Sequence, residues 1–170
     1  MLFTVTYTAY SGASPDAVWK TLTDIESWPT WDARLERTSS DGPLRAGSKY
    51  TLNPVHGNEV TIDVVKAEGY NFNDRAKLDL GTVETERSVT PLEGGSLITQ
   101  TMRADIEADS ARAFGLVFWD SWSQGMIDST KALANKASQQ TQGKKQPYAS
   151  GKDVENLLSR HRNAASAGKG

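Results

Sequence analysis

The chain has 170 residues, 37% of them hydrophobic, which is enough for one domain with its own core and at most an appendage. The absence of cysteine excludes disulfide scaffolds, cysteine nucleophiles and thiolate zinc sites, and the two histidines, His56 and His161, are far apart in sequence, which argues against a histidine-rich metal site. A formal charge of −2 and a pI near 5.7 argue against nucleic acid as a partner, and no apolar run approaches the roughly 20 residues that would span a bilayer.

The chain opens with Phe3, Val5, Tyr7 and Ala9 alternating with threonines, the period of a strand with one buried face. No basic stretch precedes it, so no secretory leader is read and the expected location is cytoplasmic. Ser14-Pro15-Asp16 then starts a short helix: Ser14 caps, Pro15 suits the first helical position and Asp16 favours the helix dipole. Val18, Trp19, Leu22 and Ile25 carry the helical spacing, and Pro29 ends it, so the chain turns a corner between Trp28 and Trp31.

Short alternating segments predict strands near 33–38, 48–53, 59–67, 74–80, 82–90 and 96–106. Turns fall at Asp41-Gly42-Pro43, His56-Gly57-Asn58, Tyr70 to Asn73 and Glu93-Gly94-Gly95, with a tight turn or bulge at Gly81. From Ser110 to residue 138 the period changes: Phe114, Phe118, Trp122, Met126, Ser129 and Leu133 recur every three or four residues without a proline, predicting one helix of roughly 40 Å. A strand, one or two short helices, a long antiparallel meander and a terminal helix make an α+β architecture over residues 1–138.

Residues 139–170 differ in kind. They carry six Lys and Arg against two Asp and Glu, a balance of +4, where the preceding residues stand at −6. With Val154, Leu157 and Leu158 almost their only large aliphatics, they read as a flexible basic tail with a short helix near 152–163, either a solvated segment or an arm for a protein partner.

Ser14 to Trp31, SPDAVWKTLTDIESWPTW, resembles the opening of polyketide cyclase/dehydrase-like proteins of the START-like, helix-grip superfamily, to which the birch-pollen-allergen type also belongs. Leu44-Arg45-Ala46-Gly47-Ser48 and Pro91 to Thr99 resemble further turns of that family, and the likeness covers about residues 2–137. The resemblance implies a seven-stranded antiparallel sheet curled around the long C-terminal helix, with a cavity for an apolar small molecule between them. It calls for no metal or organic cofactor. A cavity of roughly 300–1,000 Å³ is the ordinary size for such a ligand.

Candidate residues follow from polar groups on apolar faces. Arg87 shares a strand face with Val83, Thr85 and Val89; Arg37 shares one with Ala33 and Leu35; Gln100 shares one with Ile98, Met102 and Ala104. An inward arginine is costly without a partner, so it either meets a ligand oxygen or turns out to pair with Glu84, Glu86 or Asp63. Tyr7 and Tyr50 fall on inward faces and present hydroxyls, as weak acids or as structural groups. The stripe Phe114, Phe118, Trp122 and Met126, with Met102 and Trp31, lines the cavity or forms plain core, and Gly115, Ser121, Gly125 and Ser129 supply gaps beside it. Trp19, Trp28 and Trp31 pack the short helices on the sheet, with Trp28 or Trp31 free to edge the mouth. His56 reads as an exposed turn residue.

Two functions are compatible with these residues. One is binding of a flat or elongated apolar molecule, such as an aromatic polyketide, a quinone-like compound or a lipid; cyclisation or dehydration would then draw on Arg37, Arg87, Tyr7 and Tyr50. The other is a protein-interaction or stress-response module with a filled cavity and a partner-binding tail. The residues alone do not fix an oligomeric state.

Overall fold

The computed structural model describes residues 1–142. Strand β1 (Leu2–Ser11) leads into α1 (Pro15–Thr23) and a short 3-10 helix (Ile25–Thr30). Strands β2 (Leu35–Ser40), β3 (Lys49–Pro54), β4 (Val60–Glu68), β5 (Asn71–Leu78), β6 (Gly81–Leu92) and β7 (Gly95–Ile106) follow, then α2 (Ala108–Val117) and α3 (Trp119–Gln142). The sheet is antiparallel throughout, in the order β1-β7-β6-β5-β4-β3-β2, so a sequential meander is completed by β1 pairing with the last strand. Helix α3 runs past the expected domain end at residue 138; the expected flexible tail, with the short helix expected near 152–163, lies outside the described residues from 143 onward. Among the described residues no helix is long and apolar enough to cross a membrane.

Helix α1 begins as its residues dictate, with Ser14 Oγ accepting from the Ala17 N–H and Pro15 in the first turn. Its buried face, Val18, Thr21 and Leu22, meets the sheet and α3, and Thr21 Oγ1 bonds Gln140 Oε1 at 2.9 Å. Ser11 Oγ fastens the end of β1 to α3 through the Ala134 carbonyl at 2.9 Å.

Three expectations are corrected. The turn placed at Tyr70 to Asn73 is a two-residue turn, Gly69-Tyr70, with φ of 58° and 60°, so β5 starts at Asn71. In β2 a bulge between Leu35 and Arg37 breaks the alternation. Thr38 then takes the inward place, its Oγ1 donating to the Ile25 carbonyl, while Arg37 turns to solvent.

The single long helix is the third. It is two helices, meeting at Phe118. In an unbroken helix Phe118 would share a face with Phe114, and Trp119 would lie about 140° away. The break reverses their exposure: Trp119 packs at 6.1 Å from Phe114 and 5.3 Å from Phe3, while Phe118 is 48% exposed beside Leu116 and Val117.

The buried residues form two groups. One joins α1, the 3-10 helix and the end of α3 to β3, β4 and β5 through Val18, Leu22, Trp28, Tyr50, Phe72 and Leu133; the other packs α2 and the start of α3 on Phe3, Val83, Met102 and Ile106. Outward-facing pairs Arg75–Glu84, Arg103–Glu86 and Lys49–Asp63 dress the opposite face of the sheet. Glu84, Glu86 and Asp63 are therefore engaged with cations other than Arg87.

Candidate functional site: a cavity with a fixed polar floor

A cavity of about 710 Å³ lies between the concave sheet and α3. Its exposed lining residues, Ala33, Arg34, Val55, His56, Gly57, Asn58 and Ser121, mark the mouth. The interior is mostly apolar, with Trp28, Leu52, Ile62, Met102, Met126 and Leu133 among its walls. Among the described residues this interior is hollow, where the interaction-module reading expects it filled.

Inward alternation on three strands places Tyr50, Asp74 and Arg87 together in this apolar setting. Tyr50 Oη donates to Asp74 Oδ2 at 2.6 Å, and Arg87 Nη1 donates to the same oxygen at 2.5 Å. Both charged side chains are nearly closed off, Arg87 being 11% and Asp74 4% exposed. The guanidinium also stacks at 5.5 Å from the Trp28 ring centroid and 5.2 Å from that of Phe72. Trp28 is itself fixed by its indole N–H on the Leu22 carbonyl at 3.0 Å. A buried guanidinium is thus neutralised by a carboxylate and packed against two rings, the pairing such burial demands.

These contacts tune the ionisable groups. Burial pushes the Tyr50 phenol well above its ordinary value, and the adjoining Asp74 charge raises it further against the opposing pull of Arg87. For Arg87 burial works against the charge, but the Asp74 carboxylate more than restores it and leaves the guanidinium above its usual value. Tyr50 therefore stays protonated and Arg87 charged. Both donors converge on Oδ2, and no described donor bonds the other carboxylate oxygen, Oδ1.

The cavity brings together Tyr50, Arg87, Gln100, Met102, Trp122, Met126 and Trp31 from the candidate set. The other candidates lie elsewhere. Arg37 is exposed, 3.8 Å from Glu59 and within reach of Asn53, because of the β2 bulge. Tyr7 packs between the two core groups under Lys131, whose Nζ is 5.5 Å from its ring. Phe114 is buried in the second core group, and Phe118 faces solvent at the helix break. Two expected gaps are also occupied: the Phe3 ring lies against Gly115, and the Arg34 guanidinium lies against Gly125. Ser121 and Ser129 do line the hollow, and exposed His56 sits at its mouth.

Sequence reasoning missed Asp74. Phe72, Asp74 and Ala76 alternate inward on β5, but the turn misplaced over Tyr70 to Asn73 cut that series short. It also missed Asp32, a buried carboxylate at the mouth whose two oxygens take Arg34 Nε and Nη2 at 2.9 and 2.7 Å.

Residues 3–138 match the family described as polyketide cyclase / dehydrase and lipid transport. The chain belongs to that family. Among solved structures, this family member is similar to the Zhui aromatase/cyclase of Streptomyces sp. R1128, with 15% identity and a TM-score of 0.66 over 84% of this chain and 97% of that one. It is also similar to norcoclaurine synthase of Thalictrum flavum, solved with dopamine and hydroxybenzaldehyde, at 13% identity and a TM-score of 0.63 over 86% and 90% of the two chains. A third likeness is to Ara h 8.0201, at 15% identity and a TM-score of 0.61 over 81% and 98%. At such identities the likeness is one of fold, the helix-grip arrangement of sheet and terminal helix. No curated protein matches the sequence.

Proposed function

We propose that this polyketide cyclase/dehydrase family member binds an oxygenated aromatic small molecule between its sheet and α3. The observation that carries the reading is a polar floor, Tyr50–Asp74–Arg87, fixed beneath tryptophan rings in an otherwise apolar hollow of about 710 Å³. The volume suits two or three fused rings, and the aromatic walls stack on flat molecules. An acyl chain has no use for a buried guanidinium and carboxylate, so the floor favours an oxygen-bearing ring system over a lipid tail. A ligand ketone near Arg87 would meet a charge placed to stabilise an enolate, and Asp74 Oδ1 would accept the proton leaving the adjacent carbon. That pairing replaces the set first drawn from the sequence, in which Arg37 and Tyr7 also took part.

Tryptophan fluorescence tests the binding. Titration with 1,4-naphthoquinone is expected to give saturable quenching from Trp28, Trp31 and Trp122, with dodecanoate binding about tenfold more weakly or less. Trp122→Phe weakens the quinone by about threefold or more, as loss of ring contact does, while Phe118→Ala leaves it unchanged. A linear, unsaturable response to every aromatic tried overturns the proposal.

A further inference from the structure

A second polar group lies across the cavity floor from Asp74. Gln100 stands on β7 directly opposite Arg87 on β6, is 6% exposed and lines the cavity. Thr130 on α3, wholly buried, places its Oγ1 3.0 Å from Gln100 Oε1 and 2.8 Å from the Met126 carbonyl oxygen. The other atom of the amide takes no hydrogen bond from a described residue and opens on the cavity.

A threonine hydroxyl has one proton to give. Given to the amide oxygen, it leaves the Gln100 NH₂ group pointing into the hollow. Given to the Met126 carbonyl, it leaves the Thr130 oxygen free to accept from the Gln100 NH₂, and the amide oxygen then faces the hollow. A half-turn of the terminal torsion interconverts the two with every heavy-atom site kept. The second arrangement makes two hydrogen bonds where the first makes one. It also sets an oxygen, instead of two more donors, on the rung shared with the Arg87 charge.

Resting on the reading of the cavity as an aromatic-ligand site, we infer that Gln100 presents its amide oxygen to the ligand and selects a hydroxyl there, a phenol or enol in preference to the matching ether. An ether oxygen meeting that acceptor gains no bond and leaves a buried oxygen unpaired, the larger share of such discrimination. Thr130 is a positioning residue: it fixes which end of the amide faces inward.

Calorimetric titration of the full chain with 2-naphthol and 2-methoxynaphthalene tests this. The wild-type protein is expected to bind the naphthol about tenfold more tightly or better, the ratio that one satisfied buried hydrogen bond supplies. Gln100→Leu brings naphthol down to the affinity of the ether while the ether shifts by about twofold or less. Thr130→Val frees the amide to turn, and the ratio narrows to about threefold or less with both probes still bound. A naphthol preference that survives intact in Gln100→Leu overturns the inference and assigns the hydroxyl to Asp74. Equal binding of the two probes by the wild-type chain overturns it and leaves the cavity a binding site. No binding of either overturns it together with the reading beneath it.

Discussion

At the scale of single residues, the Tyr50–Asp74–Arg87 cluster is where burial and charge oppose each other most strongly. Removing one member of a buried ion pair strands the other, so Asp74→Asn, which keeps the shape and deletes the charge, is expected to cost about 3 kcal/mol or more. Arg75→Ala breaks an exposed pair with Glu84 and is expected to cost about 1 kcal/mol or less. Urea unfolding at neutral pH separates the two through their midpoints. Tyr50 gives a pH signature. Its folded value lies above the ordinary 10.0, so the native state keeps a proton that the unfolded chain gives up as pH rises past about 10. The contribution of Tyr50 to stability is therefore complete below pH 10 and declines above it, and Tyr50→Phe should lack that alkaline decline. In a spectrophotometric titration of phenolate, Tyr50 is expected to ionise only as the protein unfolds.

At the scale of elements, most of the architecture can be read from periodicity, and each misreading has a local cause. Alternation marks β1, β6 and β7 plainly, and with them the inward faces of Arg87 and Gln100. It fails where the backbone departs from a plain pleat. The bulge in β2 carries no glycine or proline to announce it, so alternation alone places Arg37 on the wrong face. Tyrosine is an unusual occupant of a left-handed turn position, so the pattern at Tyr70 reads as the start of a longer loop and hides the inward series that carries Asp74. The break at Phe118 is set by tertiary packing, since Phe3 on β1 and Phe114 draw Trp119 inward. No local residue breaks the helical pattern there. The candidate site was thus legible where it rests on regular strands and hidden where it rests on a turn, a bulge or a contact between distant elements.

At the scale of the whole molecule, the space beneath α3 is bounded by two separate core groups, one at each end, so the helix need not fill the middle. The mouth depends on a smaller feature. Arg34, anchored to buried Asp32 by two hydrogen bonds, lays its guanidinium against α3 where Gly125 has no side chain, and a Cβ there would overlap Nη1. Gly125→Ala displaces the far end of the Arg34 side chain, a small cost that alanine's better helix propensity offsets, and is expected to speed amide hydrogen exchange across residues 31–35 while the central strands keep their protection. Unchanged exchange in that loop would show that Arg34 does not fasten it. The doorway's clearance is then governed by one absent methyl on a residue outside the guest's path, so admission can be altered there without touching a single wall of the chamber.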